Sequence, residues 1–573
     1  MIYPFTHSFF LAVLTGVMAL ATPRPVAAED TAPEGTRGMV VSAQHEATAA
    51  GVEILKAGGN AIDAAVAVGY ALAVVDPCCG NVGGGGFMLI RRADGGAAFI
   101  NFRETAPAAA TADMYLDARG EPIRDASRYG YRAVGVPGTV KGFDLALTRY
   151  GHLAPVLDMA PAISLARDGF VLRKPDAEIL AHDAKRLAAD PEAARIFLHP
   201  DGTPYQAGER LVQSDLARTL EGIAEQRADG FYRGPVAQAI EAAAKAHDGI
   251  ITAADLAAYT ATELSPLSCQ YRGYTIISAP PPSSGGTTLC EILGIVAGWD
   301  VGAAGFHSPR AVHLTVEAIR HAFYDRNSAL GDPDFVANPV AELLSAEHAA
   351  TIRAGVDPDK ATPSATLGAI AEKGAVSGEK PQTTHYSVVD GEGNAVAVTY
   401  TLNGFFGASV VAPTTGVLLN DEMDDFAVKP GAANMFGLVQ GAANAIAPHK
   451  RPLSSMTPTI IEKDGKPVFV LGSPGGPRII SAVLETVMNL VDFGMSPEAA
   501  VAAARFHQQY LPDVLFYETG GLPPETVSAL GAMGYSLKEQ SPWGAVELVA
   551  IEPDGKLVGV NDPRRPAGAA LGY

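Results

Sequence analysis

Two adjacent threonines, Thr383 and Thr384, lie where a polar segment gives way to a predicted β-strand, within KPQTTHYSVVDGEGNAVAVTYTLN. A threonine hydroxyl is a poor nucleophile because nothing nearby removes its proton, unless the residue becomes a chain terminus whose own α-amine acts as base. A free α-amine has a pKa of about 7.7–8.0, which suits general-base catalysis near neutral pH. Self-cleavage before Thr383 would therefore create a catalyst, whereas without other motifs both threonines would be ordinary strand residues.

Groups that can bind a carboxylate occur in two other motifs. Arg103, in NFRETAP, ends a predicted strand, and its guanidinium can bind a carboxylate through two hydrogen bonds. Ser454 and Ser455, in KRPLSSMTPTI, offer further donors. In isolation, Arg103 would be a surface salt-bridge arginine and the two serines a polar pair in a loop.

Two more motifs suit an ammonium group and an oxyanion. Glu422 and Asp425 lie in LLNDEMDDF, where carboxylates can accept charge-assisted hydrogen bonds. Alone, this motif would indicate a solvated acidic turn or a weak calcium site without EF-hand spacing. Gly475 and Gly476, in GSPGGPRII, can present backbone N–H groups to a developing oxyanion, and losing such a donor typically costs about 3 kcal/mol of transition-state stabilisation.

Together with GGGGFML, YDRNSALGDPDF and the terminal DPR and LGY, these motifs resemble the γ-glutamyltranspeptidase (glutathione hydrolase) family over nearly the whole chain. The resemblance implies an α/β protein with the four-layer αββα sandwich of the N-terminal nucleophile hydrolases. It also implies a precursor that cuts itself between Gln382 and Thr383. A large subunit, residues 29–382, and a small subunit, residues 383–573, would remain associated in one αββα unit.

The resemblance also assigns roles to individual residues. Thr383 would be the nucleophile of both processing and catalysis, and Thr401 would hydrogen-bond its hydroxyl. Gly475 and Gly476 would form the oxyanion hole. The expected substrate-binding residues are Arg103, Ser454 and Ser455 for the α-carboxylate and Asn403, Glu422 and Asp425 for the α-ammonium group.

The implied reaction moves a γ-glutamyl group from glutathione or another γ-glutamyl compound to water, an amino acid or a peptide. It would pass through a γ-glutamyl-Thr383 intermediate and require no metal or organic cofactor. Two alternatives stay open. One is a related acylase of the same fold that cleaves glutaryl-type cephalosporin side chains, which would have less use for Asp425. The other is a non-catalytic periplasmic binding protein or a proenzyme that never cleaves.

Two positions depart from the family pattern. Glu422 stands where many bacterial members carry Gln, which changes the charge near the α-ammonium group but keeps an acceptor. Phe436 lies in KPGAANMFGLVQG, Lys429–Gly441, which resembles the family's lid loop. Because a Tyr is common at this position, a lid hydrogen bond from the side chain of residue 436 is not expected here.

The hydrophobic pattern predicts helices and strands in alternating blocks. Residues 38–77 suggest a short strand and two helices, the second capped by Asn60. Hairpins are predicted around residues 94–96, 391–394 and 464–465 and within residues 544–564. Helices dominate from Met114 to Ala350 and again after Pro477, through SPEAAVAAARFHQQY. Residues 352–382, poor in large apolar side chains, predict an exposed linker.

Composition excludes several classes of protein. The 573 residues carry a net charge of −20, so a nucleic-acid partner is not expected, because phosphate binding needs clustered Lys and Arg. The four cysteines, at 78, 79, 269 and 290, lack CxxC spacing and histidine-rich neighbours, so no zinc site is expected. Buried free thiols are the expected state, with a Cys269–Cys290 disulfide as the alternative in an oxidising compartment.

The N-terminus predicts export. An apolar run from Phe9 to Ala21 precedes Val26, Ala27 and Ala28, which supply the small residues that a signal peptidase recognises. We therefore expect residues 1–28 to be a signal peptide, with cleavage after Ala28 and a periplasmic or secreted product without a stable membrane span. The first residues, MIYPFTHS, lack the Lys or Arg that usually begins a signal peptide, so a retained anchor is the alternative. The apolar run is, however, shorter than the stretch of about 20 residues that a membrane span needs.

Overall fold

The computed structural model describes Met1 and residues 32–368 and 382–573. The predicted signal peptide after Met1, with its cleavage site, lies outside the described residues, as do residues 369–381 of the predicted linker. Residues 352–355, which we assigned to that linker, instead complete the last turn of a helix.

Eighteen α-helices form within the described residues. In chain order they are α1 His45–Lys56, α2 Ala61–Val75, α3 Thr139–Tyr150, α4 Pro155–Asp168, α5 Lys174–Leu187, α6 Pro191–Phe197, α7 Ser214–Gln226, α8 Asp229–Tyr232, α9 Gly234–Ala246, α10 Ala253–Ala258, α11 Gly285–Val296, α12 Val301–Ala304, α13 Pro309–Ala329, α14 Val340–Leu343, α15 Ala346–Gly355, α16 Arg478–Val491, α17 Pro497–Ala502 and α18 Pro524–Ala532.

The same part of the chain forms nineteen strands. They are β1 Glu34–Gly35, β2 Gly38–Ser42, β3 Gly85–Arg91, β4 Ala97–Phe102, β5 Phe170–Val171, β6 Arg210–Leu211, β7 Thr262–Leu264, β8 Leu267–Tyr271, β9 Tyr274–Ser278, β10 Thr384–Asp390, β11 Ala395–Thr401, β12 Thr459–Lys463, β13 Lys466–Leu471, β14 Phe506–His507, β15 Leu515–Glu518, β16 Leu537–Gln540, β17 Leu548–Ile551, β18 Leu557–Val560 and β19 Ala569–Gly572.

Two seven-stranded antiparallel sheets form the centre of the molecule. Sheet I has the order β19-β2-β10-β11-β3-β4-β7, and sheet II has the order β1-β18-β17-β13-β12-β9-β8. Successive residues of β10 face opposite sides of sheet I, as the two-residue period of a strand requires. Val388 belongs to the core shared with α1 and α2, whereas Val389 belongs to the core shared with sheet II, α11, α13 and α16. The predicted αββα sandwich is therefore confirmed.

Local sequence signals predicted most of these elements. The hairpins β3–β4, β10–β11, β12–β13 and β17–β18 all form. Asn60 caps α2 by accepting from the backbone N–H groups of Ile62 and Asp63, and the Asp63 side chain accepts from Asn60 in return. This reciprocal capping box satisfies donors that the first helical turn would otherwise leave unpaired.

One prediction of helix was wrong and another was incomplete. Helices dominate the segment Met114–Ala350 as predicted, but it also contains β7, β8 and β9, which continue the edges of the two sheets. The helix predicted from SPEAAVAAARFHQQY ends at Ala502, because Phe506 and His507 pair with β15 instead. β7 pairs with β4 and β9 pairs with β12, both distant in the sequence, so tertiary contacts override the local helical pattern there, whereas β14 pairs with β15, which follows it closely.

The expectation of buried free thiols was also wrong. Cys269, on β8, forms a disulfide with Cys290, on α11, and Cys78 forms a disulfide with Cys79 just after α2. The first bond connects the edge strand of sheet II to the helix that covers it. Separately, none of the helices in the described part of the chain has the length and apolarity needed to cross a membrane.

Candidate active site

Thr383 lies directly before β10, one of the central strands of sheet I, and its side chain is buried. Its hydroxyl lies within hydrogen-bond distance of two oxygens, the carbonyl oxygen of Gln382 and, at 3.2 Å, the hydroxyl of Thr401. The Thr401 hydroxyl in turn donates to the Gln382 carbonyl at 3.2 Å. The Thr383 hydroxyl therefore adjoins the one peptide carbonyl that self-cleavage at this position would attack.

The strand pairing explains why Thr401 lies beside Thr383. In the β10–β11 hairpin Thr384 faces Tyr400, so the residue before β10 meets the last residue of β11. The glycine run before β3 permits this arrangement, because a Cβ on Gly84 would overlap the carbonyl oxygen of Thr401. Only a residue without a side chain can approach so closely.

A pocket opens at Thr383 and gathers most of the predicted site residues. It offers about 330 Å³ of space, including its open mouth. We call it the Thr383 pocket. The predicted residues that line it are Arg103, Thr383, Thr401, Asn403, Glu422, Asp425, Ser454, Ser455 and Gly476. Gly475 is not among its lining residues, although it adjoins Gly476.

Arg103 follows β4 and is fully buried at one end of this pocket. One terminal nitrogen of its guanidinium pairs with Glu422 and the other with Asp425, while its Nε donates to the carbonyl of Pro452 at 3.1 Å. Burial opposes the charged form, but the carboxylates of Glu422, Asp425 and Glu104 outweigh it and raise the pKa of Arg103. The alternative of a surface salt-bridge arginine is therefore wrong, since this arginine is an interior cation.

Of the acidic residues of the site, Glu422 is buried and Asp425 is partly buried. Glu422 and Asp425 lie in a short 3₁₀ helix, Glu422–Asp425, and the side chain of Glu422 is 1% exposed. Burial raises the pKa of Glu422 well above its usual value even though Arg103 acts in the opposite direction. The second carboxyl oxygen of Glu422 has no hydrogen-bond partner among the described residues. The alternative of a solvated acidic turn is therefore wrong, and burial shifts Glu422 toward its protonated form.

Asn403 and the two glycines occupy backbone conformations that suit their residue types. Asn403 has φ 81°, in the left-handed region that asparagine tolerates better than most residues, and its N–H donates to the Thr401 hydroxyl at 2.9 Å. Gly475 and Gly476, between β13 and α16, have φ 140° and 56°, which favour glycine. Gly476 thereby places its backbone in the wall of the Thr383 pocket.

Ser454 and Ser455 also line the Thr383 pocket. Ser454 is held by its backbone, which accepts from the hydroxyl of Ser284 at 2.6 Å and donates to the carbonyl of Pro282 at 2.9 Å. The hydroxyl of Ser455 accepts from Nη2 of Arg326 at 2.8 Å. Because this acceptor role is filled, the proton of the Ser455 hydroxyl is free to point elsewhere.

Arg326 also lines the Thr383 pocket, and our sequence reasoning assigned it no role. Its other donors bond to the hydroxyl of Ser284 and the side-chain oxygen of Asn327, both at 2.8 Å. Among the described residues it forms no ion pair with a carboxylate, and burial lowers its pKa to about 10. In the sequence, the only signal for a role of Arg326 was its place in YDRNSALGDPDF, a motif whose residues we had given no role.

The predicted lid loop borders the same pocket. Phe436 lines it and is 9% exposed, and its carbonyl accepts from the Gln509 side chain at 3.2 Å. Asp424, just before the loop, holds it through the backbone N–H of Met435 at 2.9 Å. This segment is therefore fixed by backbone contacts, and its aromatic ring supplies only apolar surface to the pocket.

Comparisons with known proteins agree with this geometry. The family model described as gamma-glutamyltranspeptidase matches residues 47–572. The glutathione hydrolase proenzyme of Pseudomonas sp. (strain A14) is 51% identical, over 99% of this chain and 100% of that protein. The glutathione hydrolase proenzyme of Escherichia coli (strain K12) is 48% identical, over 94% and 92%. Among solved structures, the cephalosporin acylase from Bacillus halodurans is 28% identical with a TM-score of 0.84, over 97% of this chain and 99% of that one.

Proposed function

Because the chain belongs to the γ-glutamyltranspeptidase family, we propose that Thr383, freed by cleavage of the Gln382–Thr383 bond, is the nucleophile of its reaction. The protein is a self-processing γ-glutamyltransferase and glutathione hydrolase. The observation that carries the assignment is the position of the Thr383 hydroxyl, which contacts the Gln382 carbonyl and belongs to a residue that lines the same pocket as Arg103.

Processing begins when Oγ of Thr383 attacks the carbonyl carbon of Gln382, so that the peptide bond is exchanged for an ester. The contact between the Thr401 hydroxyl and the Gln382 carbonyl oxygen supports this step, because a donor there stabilises the negative charge that develops on that oxygen. Water then hydrolyses the ester, which leaves a carboxylate on Gln382 and a free α-amine on Thr383. The products are a large subunit, residues 29–382, and a small subunit, residues 383–573.

The charges of the Thr383 pocket complement a γ-glutamyl group. Such a group carries an α-carboxylate and an α-ammonium on one carbon, and the pocket offers Arg103 beside two carboxyl groups, those of Glu422 and Asp425. In this proposal Arg103, Ser454 and Ser455 bind the α-carboxylate. Binding of the substrate carboxylate then replaces part of the interaction that Arg103 makes with its acidic neighbours.

Asn403, Glu422 and Asp425 bind the α-ammonium group in the same proposal, and all three line the Thr383 pocket. The oxygen of a carboxyl or amide group can accept a hydrogen bond from an ammonium group, whether or not that oxygen carries a full charge. The side chain of Asp425 is 14% exposed and that of Glu422 is 1% exposed, so Asp425 is the more accessible of the two carboxyl groups.

Catalysis repeats the processing chemistry on the substrate. The α-amine of Thr383 accepts the hydroxyl proton while Oγ bonds to the γ-carbonyl carbon, and the proton then passes to the departing amine. Backbone N–H groups of Gly475 and Gly476 bind the developing oxyanion. Water or the amine of an amino acid or peptide attacks the resulting ester, and Thr383 is regenerated. Glutathione is the proposed donor, because it contains a γ-glutamyl amide.

The acylase alternative is disfavoured on two grounds. The glutathione hydrolase proenzymes of Pseudomonas sp. (strain A14) and Escherichia coli are 51% and 48% identical to this chain, whereas the acylase ACY 1 proenzyme of Pseudomonas sp. (strain SE83) is 41% identical and the structurally similar cephalosporin acylase is 28% identical. A glutaryl group also lacks the α-ammonium that Asp425 and Glu422 would bind.

The apolar N-terminal segment from Phe9 to Ala21 supports a periplasmic or secreted location for the mature enzyme.

Two measurements test the proposed function. Denaturing electrophoresis with N-terminal sequencing is expected to show a chain beginning Thr-Thr-His, whereas Thr383→Ala is expected to stay uncut and inactive. A single intact wild-type band would refute the processing site.

On processed enzyme, Asp425→Ala is expected to lower kcat/KM for γ-glutamyl-4-nitroanilide by about tenfold or more, the factor for one charge-assisted hydrogen bond. The glutaryl anilide is the control, and an equal loss on both substrates would refute an ammonium contact.

A further inference from the structure

A histidine and two carboxyl groups from three helices meet at a place that the proposed reaction does not use. Nε2 of His348, on α15, lies 3.1 Å from Oε1 of Glu291, on α11, and 3.1 Å from Oδ2 of Asp325, on α13. One nitrogen or oxygen atom of each residue lies within 4.8 Å of those of the other two. We call these three residues the His348 cluster. None of them is among the residues that line the Thr383 pocket.

The helices that carry the cluster are held in place by contacts of their own. The disulfide between β8 and α11 ties the helix of Glu291 to sheet II. Nη1 of Arg353, on α15, donates to the carbonyl of Gly294, on α11, at 3.0 Å. The hydroxyl of Ser345 caps α15 by accepting from the backbone N–H of His348 at 3.1 Å. A ligand that binds the cluster therefore meets side chains whose backbones are already in position.

The cluster has a buried floor and an accessible side. The side chain of Glu291 is 1% exposed, whereas those of Asp325 and His348 are 21% and 22% exposed. His321 lies about one helical turn before Asp325, and its imidazole forms no hydrogen bond or ion pair with the described residues. Residues four apart on a helix are neighbours, so His321 offers a further nitrogen next to the cluster. A small ion can thus reach the cluster from solvent.

The spacing of the three atoms fits a tetrahedral metal ion. Zinc bonds to histidine nitrogen and carboxylate oxygen at about 2.0–2.1 Å, which places tetrahedral ligand atoms about 3.3–3.4 Å apart. The two separations of 3.1 Å around His348 need to change by only a few tenths of an ångström. Two carboxylates and a neutral imidazole also balance the charge of a divalent ion, so the occupied site carries no net charge.

The residue types select the kind of ion. Calcium and magnesium are bound through oxygen atoms, with six or more ligands, whereas an imidazole nitrogen suits zinc and neighbouring transition metals. Our sequence reasoning expected no zinc site because it considered the spacing of the cysteines. This cluster uses no cysteine, and Asp325 and Glu291 lie 23 and 57 residues before His348, a spacing that no short motif reports.

We propose that the His348 cluster binds a divalent transition-metal ion and that zinc is the ion it fits best. The ion bonds to Nε2 of His348 and to one oxygen each of Glu291 and Asp325, and His321 or a water molecule completes the fourfold coordination. A proton held by the cluster in the metal-free protein passes to solvent. The ion links α11, α13 and α15 and stabilises the fold, but it takes no part in the transfer of the γ-glutamyl group.

Titration calorimetry tests the proposal, with zinc chloride as the probe. The protein is expressed without a histidine tag and is freed of metal with a chelator before the titration. We expect wild type to bind one zinc ion per chain at this site and His348→Gln to bind it at least about one hundredfold more weakly. Even residues that only support metal ligands change metal affinity by about 10–100-fold, so the loss of a ligand should cost no less.

His199→Gln is the matched control. Nε2 of His199 also lies 3.1 Å from a carboxyl oxygen, but from that of a single residue, Glu209. This variant should therefore keep the zinc affinity of wild type. Magnesium chloride at the same concentration should not compete with zinc, because magnesium prefers oxygen ligands.

The possible results separate a metal site from an ion-pair cluster. Wild type that binds no zinc would overturn the proposal and leave a protonated His348 between two carboxylates. Equal zinc affinity in wild type and His348→Gln would also overturn it, because zinc would then bind elsewhere. Zinc that raises the Tm of wild type but not that of His348→Gln would support it, since a ligand of the folded state stabilises that state.

If His348→Gln fails to fold, wild-type crystals grown with zinc chloride decide the question. Anomalous scattering at the zinc absorption edge locates every bound zinc ion in such crystals. A peak between the side chains of Glu291, Asp325 and His348 supports the site, and the absence of that peak overturns it.

Discussion

The side-chain hydroxyl oxygens of Thr383 and Thr401 lie 3.2 Å apart at the junction of two paired strands. The Thr401 hydroxyl also accepts from the backbone N–H of Asn403, so its orientation is fixed from the other side. We therefore expect Thr401→Val, which keeps the shape but removes the hydroxyl, to slow both self-cleavage and γ-glutamyl transfer. One hydrogen bond to a charged or reacting group is worth about 1.5–3 kcal/mol, or a factor of roughly ten to one hundred in rate.

The measurement is the half-time of subunit formation on denaturing gels, together with kcat for the fraction that has matured. Thr401→Ser is the matched control, because it restores the hydroxyl without the methyl group and should recover most of both rates. A Thr401→Val enzyme that matures and turns over at the wild-type rate would show that the contact has no catalytic role.

Local sequence patterns were enough to predict the β10–β11 hairpin and the cap of α2. The β10–β11 hairpin follows from alternating apolar residues around Gly391 and Gly393, and it alone brings Thr401 to Thr383. The Asn60 cap is equally local. These features need no knowledge of the rest of the chain.

Other features depend on contacts between distant segments and left no local signal. Arg326 lies on a helix and reaches Ser455, 129 residues later in the sequence, which no helical period can indicate. The Cys269–Cys290 bond likewise requires β8 and α11 to be adjacent. The burial of Glu422 rules out the alternative of a solvated acidic turn, which the charge pattern could not do because it does not report what packs over the segment.

Glu422 is expected to act as a neutral group. Burial raises its pKa well above the usual value, which favours the protonated form that an amide imitates. We therefore expect Glu422→Gln to keep kcat/KM for γ-glutamyl-4-nitroanilide within about threefold of wild type, a difference of less than 1 kcal/mol. Glu422→Ala should lose considerably more, because it removes the acceptor for the Arg103 guanidinium.

Steady-state kinetics on processed Glu422→Gln and Glu422→Ala decides between the two forms of the side chain. If the Gln variant loses as much activity as the Ala variant, the site requires a negative charge at this position and the neutral assignment is wrong. Subunit formation must be checked first in both variants, since an uncut chain would be inactive for a different reason.

Arg326 is expected to act through Ser455. Its Nη2 donates to the Ser455 hydroxyl, which leaves the serine proton available to a substrate carboxylate. Arg326→Met should therefore raise KM for a γ-glutamyl donor by about tenfold with a smaller change in kcat, since the carboxylate is bound equally in the ground and transition states. Ser455→Ala should do the same.

A double-mutant cycle tests whether the two residues act as one unit. We expect the Arg326→Met and Ser455→Ala double variant to be little worse than the poorer single variant, because each change removes the same interaction. Independent, additive effects on KM would show that Arg326 contributes only by its own charge or by packing.

Asp158, on α4, is expected to make the stability of the protein depend on pH. Its two carboxyl oxygens are buried without a hydrogen-bond partner among the described residues. Burial, with a smaller contribution from the carboxylate of Asp63, raises its pKa to about 8. Because the folded pKa exceeds the unfolded one, this carboxyl favours the folded state most below about pH 4, and that contribution is lost as the pH rises toward 8.

Asp158→Asn should remove this dependence, because the amide does not titrate. We expect the free energy of unfolding of the parent protein to fall, relative to that of the variant, by at most about 1.4 kcal/mol per pH unit between pH 4 and 8. The uncut Thr383→Ala chain is the best background, since a single polypeptide then unfolds. Parallel stability profiles for the parent chain and its Asp158→Asn variant across this range would contradict a buried, neutral aspartic acid at the folded site.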